Sequence, residues 1–201
     1  MRIFTVLLMS LFVTSVQASE LKGVGLFQTL DNPWFLVALY EDKRQPELGA
    51  EKLQFKVVED KISVRRYRQL WQDVFAVGQE RNVWQEFGGD LQAFFQMVKG
   101  PLQQNDMLVI ERKNGATVVS INYREHLRLN PQFMDVLVST LTGRISALPE
   151  LRDGLLGTLP DGEEKRLLRQ FDKGEPTLGR ISETGRWLRL PAASEARVSQ
   201  L

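Results

Sequence analysis

Apolar residues recur along this chain with two spacings, and the spacing divides it into strand-like and helix-like segments. GVGLFQTLDNPWFLVALY, at 23–40, predicts two apolar strands, 23–30 and 35–41, around Asp31, Asn32 and Pro33, whose backbones suit a turn. EDKRQPELGAEK, at 41–52, is a charged loop. LQFKVV, at 53–58, then alternates apolar and polar like a half-buried strand. Past Ser63 the period changes. Val64, Tyr67, Leu70, Trp71, Val74 and Phe75 fall three or four residues apart, so one face of a helix over 63–77 is apolar and Ser63 can cap it.

A second helix is predicted over 90–100, with Leu91, Phe94, Phe95 and Val98 inward and Gly100-Pro101 ending it. DMLVIERKNGATVVSINY, at 106–123, is a hairpin pattern. Its Asn114-Gly115 pair takes the positive φ that a tight two-residue turn requires. Asn130 and Pro131 open another helix as cap and first helical residue, carrying Phe133, Val136, Leu137 and Leu141 inward. LPELRDGLLG, at 148–157, forms a last helix stopped by Gly157. Strands come first, helices cluster between and after them, and no strand–helix–strand alternation occurs. The class is therefore α+β: a large antiparallel sheet with a layer of helices on one face.

After residue 157 the texture changes. GEEKRLLRQFDKG, at 162–174, is a short amphipathic helix. PTLGRISETGRWLRL, at 176–190, reads as a small hairpin-like arm with Leu178, Ile181, Trp187 and Leu188 as its apolar residues. The polar PAASEARVSQL that follows reads as disordered. The organisation is thus a leader over 1–18, one domain over 19–157, and a partly ordered C-terminal extension over 158–201.

The first residues add a compartment. Arg2 precedes an apolar run over 3–13, and Val16-Gln17-Ala18 supplies a cleavage site, the grammar of a secretory signal. That run is too short for a bilayer core of ~30 Å, which needs about 20 residues. The expectation is a periplasmic or secreted protein with no integral membrane span after cleavage. The chain has no cysteine, hence no disulfide, thiol nucleophile or lipid-modified terminus. It has 26 basic and 25 acidic residues, and the leader holds one basic residue and no acidic one. That balance gives no electrostatic case for nucleic acid.

Chemistry-bearing motifs are sparse. His126 is the only histidine; it reads as a solvated loop residue, and no GxSxG, HExxH or DxDxDG motif accompanies it. Neither a metal nor a cofactor is implied. Arg65, Arg66 and Arg68 lie off the apolar face of the first helix, and Glu41-Asp42, Glu150 with Asp153, and Glu163-Glu164 stand beside basic residues as surface charge. Aromatic residues are the larger resource. Phe27, Trp34, Phe35, Tyr67, Trp71, Phe75, Trp84, Phe87, Phe94, Phe95 and Phe133 either fill a core or line a cleft for an apolar molecule.

The order of these motifs is familiar. GVGLFQ, LVALY, VVEDKISVRRYRQLWQD, LQQNDMLVIERKNGATVVSINY, NPQFMDVLVSTLTG and LPELRDGLLG, collinear over about 21–157, resemble the chalcone isomerase-like proteins of bacteria. The resemblance implies a large sheet, a helical layer and a ligand cleft between them. In the plant enzymes of that family an Arg after the first glycine strand and a Thr on the next strand bind flavonoid and activate its carbonyl. Related fatty-acid-binding proteins keep the Arg for a carboxylate. The matching positions here hold Phe27 and Phe35, with Gln28 or Thr29 as partial replacements and Arg81, Arg124 or Arg144 as stand-ins from elsewhere.

Phe offers neither a charge nor a directed donor, so the namesake isomerisation is not expected. The expected function is non-catalytic binding of an apolar small molecule or lipid in the sheet–helix cleft. Its lining would be Phe27, Gln28, Thr29, Phe35 and Val37 from the strands, and Tyr67 and Trp71 from the covering helix. Two alternatives stand beside it: a protein-interaction module with a filled cleft, and an isomerase or lyase with relocated polar residues. No protein partner is named by the sequence.

Overall fold

The computed structural model describes residues 19–44 and 49–190; the expected leader and the last eleven residues lie outside them. β1 (Glu20–Thr29) and β2 (Asn32–Glu41) form the first hairpin. Its turn is Leu30-Asp31, both at positive φ (50° and 61°), so Asn32 and Pro33 belong to the second strand rather than the turn. β3 (Ala50–Val57) pairs with β2, and after it comes the two-residue strand β4 (Lys61–Ile62).

Helix α1 (Val64–Gly78) begins as expected, with Ser63 Oγ accepting from the Arg66 N–H at 3.2 Å. α2 (Arg81–Glu86) and α3 (Gly88–Gln96) follow, then β5 (Leu102–Gln103), which pairs with β4 as a separate two-stranded sheet. β6 (Met107–Lys113) and β7 (Ala116–Ile121) turn at Asn114-Gly115, with φ of 50° and 70°. β8 (Arg124–Leu129) is reached through Asn122-Tyr123, both again at positive φ. His126 is therefore a strand residue and not a loop residue.

The remaining elements are helices: α4 (Phe133–Thr142), α5 (Pro149–Leu155), α6 (Asp161–Phe171) and α7 (Leu178–Arg186), closed by one 3₁₀ turn over Trp187–Arg189. Asn130 caps the turn before α4 rather than the helix itself, its Oδ1 accepting from the Gln132 N–H at 2.9 Å. The large sheet is antiparallel throughout, in the order β1-β2-β3-β6-β7-β8. No helix among the described residues is long and apolar enough to cross a membrane.

The core sits on one face of the sheet. Phe27, Phe35, Val37, Leu53, Phe55, Leu108, Ile110, Val119 and Ile121 point from the strands into it, and Tyr67, Trp71, Phe75, Phe94, Phe133 and Leu151 meet them from α1, α3, α4 and α5. Glycine sets one of these approaches. A Cβ on Gly154 of α5 would lie 2.5 Å from Val24 O and 2.6 Å from Gly25 Cα, so helix and edge strand touch backbone to backbone.

The expected helical layer, α1, α3, α4 and α5, lies on one face of the sheet. The C-terminal extension adds to it: α6 packs Leu167 and Phe171 against Val24, Leu36 and Ala38 on the other face. One expectation changes. The 176–190 arm is not a hairpin but α7, whose Thr177 cap accepts from the Arg180 N–H at 3.3 Å. The apolar spacing misled because α7 turns its polar residues inward. Arg180 and Thr184 are its buried positions, whereas Leu178 is 86% exposed.

Candidate functional site

The residues expected to line the cleft come together. Phe27 on β1, Phe35 and Val37 on β2, and Tyr67 and Trp71 on α1 are all fully buried in one cluster between the sheet and the helices. A register shift after Phe27 in the β1–β2 pairing leaves Phe27 opposite Phe35 on the core-facing side. The rings meet directly. Phe27 lies 5.6 Å from Phe35 and 5.7 Å from Trp71, Phe55 lies 5.4 Å from Trp71, and Trp71 meets Phe94 edge to face at 4.9 Å. In this structure the side chains occupy the space between sheet and α1 themselves.

Gln28 and Thr29 do not join them. Gln28 Nε2 donates to Glu150 Oε2 at 2.5 Å near the surface, and Thr29 Oγ1 accepts from Trp34 Nε1 at 2.7 Å. Arg81, Arg124 and Arg144 are exposed on α2, on β8 and after α4, and contribute no charge to the interior.

Two polar atoms punctuate the aromatic interior. The Tyr67 hydroxyl donates to Phe94 O across a long 3.4 Å, and burial pushes its pKa well above the ordinary tyrosine value, so it stays protonated. The Trp71 indole Nε1–H is buried and has no hydrogen-bond partner among the described residues. An interior of this kind carries one buried hydrogen-bond donor with no partner among the described residues. It supplies neither a base nor a fixed charge.

On the outer side of α1, that helix forms an open groove of about 400 Å³ with α2 and α3. Trp84, Leu91 and Phe95 form its apolar wall, and Arg68, Gln72 and Gln92 stand at its polar margin. Sequence reading placed Arg68 on a solvated helix face. Its Nε is instead buried and unpartnered among the described residues.

The buried charges elsewhere are structural. Asp106, fully buried, accepts from Arg180 Nη2 at 2.6 Å and Nε at 3.1 Å, and Asn122 Nδ2 donates to it at 2.8 Å. Lys56, also buried, donates to the carbonyls of Phe171, Lys173 and Gly174 and so closes the C-terminal end of α6. Desolvation lowers its pKa, against the opposing pull of Asp172 and Glu175. Nothing in the sequence links Asp106 to Arg180 or Lys56 to α6, since each pair spans more than seventy residues. His126 is half-buried against Trp187, ring centres 6.4 Å apart, and burial pulls its pKa down to about 4.

No protein-family profile matches the chain, and no curated protein matches it. Among solved structures, it is similar to a fatty-acid binding protein of Arabidopsis thaliana. The TM-score is 0.52 at 17% identity, over 77% of this chain and 91% of that one. The fold is the chalcone isomerase-like one: a six-stranded antiparallel sheet, not closed, with seven α-helices among the described residues.

Proposed function

We propose that the protein is a non-catalytic binding protein for an apolar small molecule or lipid, held between the sheet and α1 with the Trp71 indole N–H as its polar anchor. The observation that carries this reading is the unpartnered Nε1 of Trp71 within an otherwise aromatic interior. A buried donor without an acceptor costs about 1–3 kcal/mol, which a ligand oxygen placed there recovers. Entry requires the Phe27 and Phe35 rings to rotate out of mutual contact, and the ligand's own apolar surface then replaces theirs. The likeness to a fatty-acid binding protein supports the ligand class. Phe27 and Phe35, both fully buried, offer a bound carbonyl no acid and no charge.

Native mass spectrometry of gently purified protein, before and after solvent extraction, tests the reading. The expected result is one discrete added mass that extraction removes. A single unliganded mass from several expression conditions, with no uptake of added lipid, would sink it.

A second reading has its own observation: the five inward residues expose no surface, as they would in a module whose cleft is permanently closed. Its working surface would be the outer side of α7, where Leu178 projects beside the exposed Arg186 and Arg189. Leu178→Glu discriminates the two, abolishing partner capture on this reading and leaving lipid uptake intact on the first. The leader-like 1–18 segment supports export to the periplasm or beyond, which N-terminal sequencing of the mature protein tests.

A further inference from the structure

α7 is amphipathic the wrong way round. Its buried positions are Arg180 and Thr184, which bond inward to Asp106 and Asn122. Its aliphatic residues face out. Leu178, Ile181 and Leu188 line an open groove of about 530 Å³ on the outer side of the helix. A second groove, of about 250 Å³, continues past Leu188 to Leu190, Leu127 and Ala93. Leu178 is 86% exposed, and Leu188 and Leu190 are half exposed. A single exposed leucine is ordinary, but three on one short segment make an apolar patch.

Cations surround this patch. Arg124, Arg186 and Arg189 line the first groove and Lys99 the second, and no carboxylate lines either. None of the four enters an ion pair among the described residues. The acidic residues closest in sequence are already engaged. Glu183 accepts from Arg180 Nη1 at 2.6 Å, and Glu125 pairs with Arg128 Nε at 2.6 Å. The nearly equal totals of basic and acidic residues conceal this local excess of positive charge.

We propose that this surface docks the protein on a bilayer that carries anionic lipid. Leu178, Leu188 and Leu190 enter the membrane interface, and the four cations meet the lipid phosphates. Long basic side chains suit that position, because their stems lie along apolar surface while their heads reach the headgroups. Charge disfavours a second copy of the chain, since a two-fold contact would set these cations against their own equivalents. Size disfavours a protein partner. The surface is α7, its terminal turn and the neighbouring edge of β8, less than the roughly 20–30 residues per side of a stable protein interface. A fluid interface needs no matching pockets for the projecting leucines. This docking is independent of any ligand between the sheet and α1.

The chain has no cysteine, so a single environment-sensitive dye can be placed at will. Ser182→Cys puts it on the docking surface, and Gln170→Cys puts it on α6; both positions are exposed. The full chain is mixed with vesicles of phosphatidylcholine, alone or with about 30% phosphatidylglycerol, each doped with a nitroxide lipid that quenches the dye on contact. The expected result is quenching at position 182, not at 170, and only on the anionic vesicles. Arg186→Gln with Arg189→Gln should raise the lipid concentration for half-quenching about tenfold or more. Leu178→Ser should raise it about threefold or more. These side chains are exposed, so the variants keep the fold, which circular dichroism checks. No quenching at 182, equal quenching at 170, or equal quenching on neutral vesicles would overturn the proposal. So would partner capture that Leu178→Glu abolishes without any quenching at 182, which would assign the surface to a protein. The dye reads α7 itself, so a membrane contact made by residues 1–18 does not count as support. Failure of lipid uptake into the interior leaves the readout unchanged, and the two readings fail separately.

Discussion

Phe27 and Phe35 define the interior by what they lack. Each is fully buried and touches other rings, so the first two strands contribute volume where a polar site would need charge. The glycines beside them have a separate role, which is proximity: Gly25 and Gly154 let α5 lie on β1 with no side chain between. Gly154→Ala must push a methyl into Val24 O and Gly25 Cα, both backbone atoms that cannot swing aside. Overpacking of this kind costs about 1–3 kcal/mol. Urea denaturation should show the loss as a lower midpoint at unchanged slope.

His126 makes a second residue-scale prediction. Its folded pKa of about 4 lies below the ordinary 6.5, so the fold holds it neutral, and its Nε2 is buried without a partner among the described residues. Between those values the unfolded chain binds more protons than the folded one. The stability conferred by the neutral ring is complete above pH 6.5 and is lost as pH falls toward 4. His126→Phe keeps an aromatic ring against Trp187 and removes the titration. It should flatten the decline in unfolding free energy between pH 7 and 4 by no more than about 3 kcal/mol. Equal declines in wild type and variant would contradict the assignment.

Among the elements, those with local signals were legible in the sequence and those defined by distant partners were not. The cap at Ser63, the Asn114-Gly115 turn, the stop at Gly157 and the inward face of α1 all follow from residues within a few positions of one another. β8 escaped because REHLRL does not alternate, and the register shift at Val119/Ser120 breaks the pattern its neighbour would impose. α7 was misread because its anchor is an ion pair. Arg180 reaches Asp106, seventy-four residues earlier in the chain, while Leu178 faces out. Arg180→Met should therefore destabilise strongly, by about 3–5 kcal/mol, because it strands a fully buried carboxylate. Pairing it with Asp106→Asn should recover part of that loss. A loss under about 1 kcal/mol, the scale of an exposed pair, would show that α7 is not held this way.

At the scale of the whole molecule, the sheet is covered on both faces, and the two coverings differ in kind. One is the aromatic interior beneath α1, α3, α4 and α5. The other is a smaller apolar contact with α6, held at its end by the Lys56 ammonium. The alternation in LQFKVV puts Lys56 opposite the core, but sequence alone could not tell that a helix rather than water would lie there. The candidate site was legible to the same degree. Phe27, Phe35, Val37, Tyr67 and Trp71 were placed on facing surfaces by periodicity and by resemblance. Their mutual contact, the orphan Nε1 of Trp71 and the groove at Arg68 depend on packing that spacing does not encode.

On the proposed reading binding and stability are coupled, since a ligand that satisfied Trp71 would stabilise the folded chain by mass action. The chain has four tryptophans, and the Trp34 indole is already bonded to Thr29. The indole N–H signals in a nitrogen-15 NMR spectrum therefore test the central claim directly. On titration with dodecanoate, the Trp71 indole proton should move downfield as it gains an acceptor, with the Trp34 signal unmoved. A Trp71 signal that stays in place at saturating ligand, with binding confirmed by calorimetry, would contradict the account.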